Sequence, residues 1–384
     1  MNSTIREHFP IFKNNDFIYF DNAATTQKPR LVIEKVKEFI ETTYANVHRG
    51  SYKEALEATE RYEKAREHVA KFINAEPEQI VFTKNATESI NLVAYGLRKK
   101  YKTCAVSVAE HHSNFVPWQQ LYDFSVLPIK ENGEIITNVK NKDIYAFTHV
   151  SNVIGNINNV KELMDFVKEQ KAISLLDASQ SINHIKIDVK KLDVDFLVFS
   201  GHKMMAFTGI GVLYMKEPIL DAFLFGGQMV SHVSEKITTF GNHPRKYEAG
   251  TPPIIEAISL DAAITFIESI GYEKMMEIEK KLTRKMIKGF EELGIKILGQ
   301  ENENRVPIFS FNVGNLHGHD VEAIFASKNI ALRSGFHCAE PLHKFLGYEK
   351  GTVRASLYIY NNEEEIERFF EVLEKIKSMA EKVK

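Results

Sequence analysis

This sequence has few cysteines and lacks both a long basic run and a long apolar run. Two cysteines in 384 residues argue against a disulfide framework, so we expect a reducing compartment and a cytoplasmic location. The net charge of −2 offers no electrostatic argument for binding nucleic acid or an anionic membrane. No apolar stretch approaches membrane-spanning length, and residues 1–7 lack the apolar core of a signal peptide.

The pattern of the remaining residues is typical of two domains. From about residue 80, apolar strands alternate with helices, which predicts a mainly parallel sheet covered by helices. After Pro253, two long amphipathic helices and several short strands indicate a smaller α+β domain. We therefore predict a large domain at residues 17–254 and a small domain formed by residues 1–16 and 255–384.

Polar side chains follow five of the predicted strands. Parallel sheets bind ligands beyond the carboxyl ends of their strands, so these residues share a rim where a ligand can bind. These residues are Thr87, His111, Asn152, Asp177 and Lys203.

Lys203 follows a strand at residues 194–199 and precedes an apolar run at 210–215. An isolated lysine at a strand end is usually a surface residue, whereas a buried amine stays partly neutral and can form a Schiff base. The segment after residues 80–82 is equally ambiguous, since Asn85 and Thr87 suit either simple helix caps or a phosphate seat at a helix start. Together, a lysine, a carboxylate, a histidine and a hydroxyl-rich helix start match what pyridoxal 5'-phosphate requires.

Motifs distributed over nearly the whole chain resemble the cysteine desulfurases of the Suf/Csd type, within the class V aminotransferase-like, fold-type I pyridoxal-phosphate enzymes. The motifs are residues 20–29 (FDNAATTQKP), 46–50 (NVHRG), 111–114 (HHSN), 116–119 (VPWQ), 149–152 (HVSN), 199–203 (FSGHK), 250–252 (Gly-Thr-Pro), 333–342 (RSGFHCAEPL) and 354–357 (RASL). The chain departs from the usual pattern at Ala86, at residues 226–228, and at Phe336 and Glu340 in the cysteine loop.

The resemblance implies a role for each matching residue. Lys203 is the Schiff-base lysine, His111 stacks on the cofactor ring, and Asp177 and Gln180 contact the pyridine nitrogen and the phenolate oxygen. Asn152 and Arg354 hold the substrate carboxylate, with Arg333 nearby. The implied cofactor-binding residues are Ala86, Thr87, His111, Asn152, Asp177, Gln180, Ser200, His202, Lys203 and Thr251. Thr251 is expected to reach the phosphate of the other subunit in a homodimer.

The two cysteines have different surroundings. Cys104 lies in an apolar strand, as expected of a small buried hydrophobe. Cys338 lies in a loop beside His337 with Arg333 nearby, and positive neighbours favour a nucleophilic thiolate. The resemblance aligns Cys338 with the cysteine that accepts sulfur; an incidental surface cysteine is the alternative.

Several soft or imidazole side chains lie close together near the C-terminus, but their spacing fits no common zinc pattern, so we expect no metal site. They are His317, His319, His337, Cys338 and His343.

The predicted function is that of a pyridoxal-phosphate-dependent cysteine desulfurase with Lys203, Cys338 and His111 as catalytic residues. It would convert L-cysteine to L-alanine, leave a persulfide on Cys338 and pass the sulfur to a SufE/SufU-like acceptor for iron–sulfur cluster assembly or related delivery. The alternatives are a class V aminotransferase, a β-elimination lyase or a selenocysteine lyase on the same scaffold, or a non-enzymatic scaffold protein.

Overall fold

The computed structural model describes residues 5–300, 302 and 304–382. The strands in chain order are β1 (Ile18–Tyr19), β2 (Ile80–Thr83), β3 (Thr103–Ser107), β4 (Asp123–Leu127), β5 (Ile144–Thr148), β6 (Ile173–Asp177), β7 (Phe196–Ser200), β8 (Gly211–Met215), β9 (Val230–Val233), β10 (Thr238–Phe240), β11 (Ile308–Phe311), β12 (Ile330–Ala331), β13 (Arg333–Gly335) and β14 (Thr352–Ser356). The helices are α1 (Ile11–Asn14), α2 (Arg30–Thr42), α3 (Lys53–Phe72), α4 (Ala86–Leu97), α5 (Val116–Leu121), α6 (Val160–Glu169), α7 (Val189–Leu192), α8 (Ile254–Ile270), α9 (Tyr272–Glu292), α10 (Gly318–Ala326), α11 (Glu340–Phe345) and α12 (Glu363–Lys382).

A seven-stranded sheet in the order β2-β8-β7-β6-β5-β3-β4 forms the centre of the molecule. Strand β8 pairs antiparallel with both of its neighbours, and the pairs from β7 to β4 are parallel. Every residue of β5, β7 and β8 is buried, because helices cover both faces of the sheet. The predicted α/β class with a mainly parallel sheet is therefore confirmed.

Gly211 at the start of β8 lets α4 approach the sheet closely. It pairs with Thr83 of β2 on one side and with Ser200 of β7 on the other. A Cβ atom at this position would lie 2.4 Å from the backbone carbon of Asn85, which caps α4. The absence of a side chain at Gly211 thus sets the distance between the sheet and the start of α4.

The C-terminal part of the chain is built on the antiparallel sheet β11-β14-β13. Its aromatic core includes Phe290 of α9, Phe311 of β11 and Phe369 of α12, whose rings pack against one another. Strand β1 pairs in parallel with β12, so an N-terminal segment joins this region. The division into a large domain at residues 17–254 and a small domain formed by residues 1–16 and 255–384 stays a prediction. Residues 1–4 of the small domain lie outside the described residues.

Several elements differ from the sequence-based expectation. One of the short strands expected after Pro253, at residues 295–298, is only a single bridge between Ile297 and Phe311. Strand β4 and the β9-β10 hairpin were not predicted, because many of their residues are exposed and lack a clean apolar alternation. Asn85 caps α4, as one reading predicted, whereas Thr87 is a residue of the helix itself, so the prediction of Thr87 as a cap is wrong. Within the described part of the chain, no helix is long and apolar enough to cross a bilayer.

We expect Gly211→Ala to lower the free energy of unfolding by about 1–3 kcal/mol, because the added Cβ must displace the backbone of Asn85. Denaturant unfolding measures the change. Gly227→Ala is the matched control, since no atom lies within 4 Å of a Cβ built there. Equal unfolding midpoints for the two variants would contradict this account of the packing.

Candidate active site

A cleft of about 370 Å³ opens at the carboxyl ends of the central strands. It brings together every predicted site residue except Gln180 and Thr251. The predicted residues that line it are Ala86, Thr87, His111, Asn152, Asp177, Ser200, His202, Lys203, Arg333, Cys338 and Arg354. The polar residues that follow separate strands in the sequence therefore meet in one cleft of the folded chain.

Lys203 ends a short 3-10 turn that follows directly after β7. The neighbouring carbonyl oxygen of His202 accepts hydrogen bonds from the backbone N–H of Thr26 at 3.1 Å and from the hydroxyl of Thr25 at 3.1 Å. The hydroxyl of Thr26 at 3.1 Å and Nζ of Lys28 at 3.2 Å also donate to this oxygen. The N-terminal segment thereby fixes the turn that carries the lysine.

The amine of Lys203 lies in surroundings that favour its neutral form. Burial lowers the pKa of Lys203, and the charge of Asp177 acts in the opposite direction. Asp177 is buried at the end of β6, where one carboxylate oxygen accepts the N–H of Ser179 at 2.9 Å. Gln180 is buried behind the cleft and donates to the carbonyl of Ala23 at 2.7 Å. A lysine whose pKa is lowered by burial loses its proton more readily, and this favours formation of a Schiff base.

The ring of His111 is held in a defined tautomer. Its Nδ1 accepts the backbone N–H of Ser113 at 3.1 Å, so the proton of the neutral ring lies on Nε2. Burial, followed by the charge of Lys203, lowers the pKa of His111 to about 3. The ring is therefore neutral at physiological pH.

The start of α4 offers donors suited to an anion. The backbone N–H of Ala86 contacts the hydroxyl of Ser200 at 2.9 Å, and the hydroxyl of Thr87 lies 2.7 Å from that of Ser113. Burial lowers the pKa of His202 to about 4. A helix start surrounded by hydroxyl groups is a common seat for a phosphate.

Two arginines that line the cleft share one carboxylate. The buried Arg354 donates to the carbonyl of Asn152 at 2.8 Å and to Asp21 at 3.3 Å, while Arg333 contacts Asp21 at 2.9 Å. Burial lowers the pKa of Arg354 to about 10, a value at which the guanidinium stays largely charged at neutral pH. Two positive groups with one negative partner leave an excess charge that suits a carboxylate ligand.

Sequence reasoning assigned no role to Asp21 or to Glu110. Asp21 comes two residues after the end of β1, inside the motif at residues 20–29, which was the available signal. Glu110 directly precedes His111 and is buried, and its carboxylate accepts the N–H of Thr148 at 2.8 Å and the amide of Asn114 at 2.6 Å. Burial raises the pKa of Glu110 to about 8.

Cys338 is exposed at the rim of the cleft, whereas Cys104 is buried in β3. Asn152 donates to the carbonyl of His337 at 2.6 Å, and the N–H of His112 donates to the carbonyl of Cys338 at 2.6 Å. Burial raises the pKa of Cys104 to about 12. The two thiols therefore differ in access, and in Cys104 burial also disfavours the thiolate.

Thr251 lies outside this cleft, in a separate cavity near Thr83 and Tyr247. The segment before it is held by Glu248, which Arg66 contacts at 2.7 Å.

The histidines considered as metal ligands near the C-terminus make other contacts. For example, Nε2 of His343 lies 3.0 Å from the hydroxyl of Thr352. Among the described residues, no three His, Cys, Asp or Glu side chains are grouped so that they could hold a metal ion.

Comparison with known proteins adds independent information. The sequence profile described as aminotransferase class-V matches residues 18–369. The chain belongs to this family. A probable cysteine desulfurase of Pyrococcus abyssi is 42% identical over 390 residues, covering 97% of this chain and 96% of that protein. A probable cysteine desulfurase of Synechocystis is 41% identical, covering 97% of this chain and 94% of that protein.

Solved structures of this family have the same fold. The apo cysteine desulfurase of Thermococcus onnurineus superposes with a TM-score of 0.93 at 41% identity, covering 98% of both chains. The Escherichia coli cysteine desulfurase CsdA, solved in an S-sulfonic acid form, gives a TM-score of 0.89 at 32% identity over 99% of both chains. The family predicted from the sequence motifs is confirmed.

We expect iodoacetamide to modify Cys338 in the native protein much faster than Cys104, because only Cys338 is exposed and burial holds the Cys104 thiol protonated. Peptide mass mapping at timed intervals measures both rates. Denatured protein is the control, in which both cysteines should react. Comparable native rates would show that Cys104 is accessible after all.

Proposed function

We propose that this protein is a pyridoxal-phosphate-dependent cysteine desulfurase that transfers sulfur from L-cysteine to Cys338. The observation that carries the proposal is that Cys338 shares one cleft with Lys203, Asp177 and the two arginines. The names of the similar proteins support the same activity.

The residues of the cleft fit pyridoxal phosphate. The start of α4 and the groups around Ser200 and His202 would hold its phosphate, the neutral ring of His111 would cover the pyridine, and Asp177 would pair with the ring nitrogen. Lys203 supplies the amine for the covalent attachment. When bound, the cofactor provides an electron sink for charge at the substrate α-carbon.

The arginine pair orients the substrate. The Nε atom of Arg354 is buried and has no hydrogen-bond partner among the described residues, which leaves a donor for an incoming carboxylate. Arg333 extends the positive surface, and Asn152 lies beside it. Held in this way, the substrate would have its α-carbon within the cleft that Lys203 lines, and Lys203 would move a proton at that carbon.

Cys338 then receives the sulfur. Its thiolate forms a bond to the substrate sulfur while the carbon–sulfur bond breaks, and the electron pair of that bond stays with carbon, which takes up protons to give L-alanine. The product on the protein is a persulfide, formed by chemistry akin to thiol–disulfide exchange. The exposure of Cys338 suits delivery to an acceptor.

We also propose a cytoplasmic homodimer in which Thr251 contributes to the phosphate site of the other subunit, and a SufE/SufU-like protein as acceptor. The position of Thr251 in a separate cavity supports the first point, since a ligand of the same subunit would line the cleft.

An aminotransferase or a lyase on this scaffold is the second candidate class, because fold does not determine reaction. Neither reaction needs a thiol at the rim of the cleft. Production of alanine from cysteine without consumption of a keto acid separates the desulfurase from an aminotransferase.

We expect Cys338→Ala to retain cofactor absorbance and cysteine binding but to form almost no alanine or sulfide and to gain no sulfur mass. Intact-protein mass spectrometry and amino-acid analysis measure these outcomes. Cys104→Ala is the matched control and should turn over like the wild type, because it lies in the core of the sheet. Wild-type alanine production by Cys338→Ala would show that no thiol is needed at this position and would replace this proposal with an alanine-forming lyase of the selenocysteine-lyase type.

Lys203→Ala should lose the visible absorbance of the bound cofactor and all turnover, while the far-ultraviolet circular dichroism stays unchanged. Borohydride reduction of the wild type followed by peptide mapping should place the pyridoxyl group on Lys203. Burial also lowers the pKa of Lys28, to about 8, so Lys28 is the other lysine to examine. A pyridoxyl group on Lys28 would refute the assignment.

A further inference from the structure

His112, a residue outside the proposed chemistry, helps to hold the loop that carries Cys338 to the large sheet region. We call residues 335–340 the Cys338 loop. The backbone N–H of His112 donates to the carbonyl of Cys338 at 2.6 Å. Two residues further along the loop, the N–H of Glu340 donates to Nε2 of the His112 ring at 3.1 Å. His112 therefore contacts the loop on both sides of Ala339.

The second of these bonds depends on the protonation state of the ring. A backbone N–H can only donate, so Nε2 of His112 must be unprotonated to accept it. Burial lowers the pKa of His112, and the negative charge of Glu340 acts in the opposite direction. The ring is thus an acceptor at neutral pH, and its proton lies on Nδ1.

The Cys338 loop has a backbone that needs such restraint. His337 and Cys338 have φ angles of 49° and 56°, in the left-handed region that non-glycine residues rarely adopt. Gly335, with φ of 109°, begins the loop without such strain. Consecutive residues in this region persist where neighbouring structure determines them. The bonds from His112, together with that from Asn152 to the carbonyl of His337, supply this restraint.

The two adjacent histidines face different parts of the site. His111 lines the cleft, with its ring held by Ser113, whereas His112 begins the 3-10 turn and contacts the loop. A single turn after β3 therefore fixes both the group that would cover the cofactor and the segment that carries the nucleophile.

We propose that His112 is a positioning residue that holds the Cys338 loop over the cleft through the bond between the Glu340 N–H and its Nε2. The proposal rests on the function proposed above, because it concerns the presentation of Cys338 to the substrate sulfur. His112 itself does not touch the reacting atoms. Its removal should slow sulfur transfer and leave cofactor and substrate binding intact.

The test compares His112→Leu, which has no acceptor, with His112→Gln, whose amide oxygen can take the place of Nε2. In a single turnover with L-cysteine, persulfide formation on Cys338 is followed by rapid quench and intact-protein mass. We expect His112→Leu to be about 10- to 100-fold slower, the scale on which small displacements of reacting groups act, and His112→Gln to recover most of that loss. Hydrogen exchange at the Glu340 amide should be faster in His112→Leu and near that of the wild type in His112→Gln.

Cofactor absorbance shows whether the neighbouring His111 is undisturbed, and it should be the same in all variants. Lys344→Ala is the matched control: it removes the 2.8 Å ion pair to the Glu340 side chain but leaves the backbone N–H in place, and it should react like the wild type. If His112→Leu fails to fold, His112→Ala replaces it, since it also lacks the ring.

A wild-type rate and wild-type exchange in His112→Leu would overturn the proposal, as would a His112→Gln variant as slow as His112→Leu. These outcomes are distinct from failure of the proposed function, in which the wild type itself would form no persulfide. Hydrogen exchange at Glu340 would still show in that case whether His112 anchors the loop.

Discussion

The convergence of four hydrogen-bond donors on the carbonyl oxygen of His202 is the constraint on which the site depends. This carbonyl lies in the turn just after a central strand, and its partners come from residues 25–28. The same bonds tie the N-terminal segment to the turn of Lys203. That segment also carries Asp21, so one contact places both the lysine and the carboxylate that joins the two arginines.

The balance of charge in the cleft follows from this arrangement. Burial lowers the pKa values of Lys203 and His111, and the His111 ring is neutral at physiological pH. The arginines stay charged but share the single carboxylate of Asp21. The remaining positive charge is carried by the two arginines, which line the same cleft as Cys338. A ligand that carries a carboxylate therefore has a favourable partner in this cleft.

Strain and restraint are combined in the Cys338 loop. Its left-handed residues carry a cost of about 1–2 kcal/mol each, which the anchoring bonds from the sheet region offset. A strained loop held by a few hydrogen bonds is ordered when these bonds are formed and can change conformation when they break. The proposed transfer of sulfur from Cys338 to an acceptor would draw on this property.

The sequence alone predicted the α/β class, the alternation of the central strands with helices, the shared rim of His111, Asp177 and Lys203 and, as one of two alternatives, the cap at Asn85. These features depend on local periodicity and on the rule that parallel strands end at one edge, so they are readable from neighbouring residues. Residue motifs then identified the family.

Only the tertiary structure decided the remaining features. Asp21 meets Arg333 across 312 positions of sequence, and no local pattern encodes such a contact. The left-handed backbone at Cys338, the contact of His112 with Glu340 and the placement of Thr251 outside the cleft depend likewise on how distant segments pack. A strand was expected around Ile297, where only a bridge forms, and strand β4 was missed. In both cases the pairing depends on the neighbouring strand and not on the apolar pattern of the segment itself.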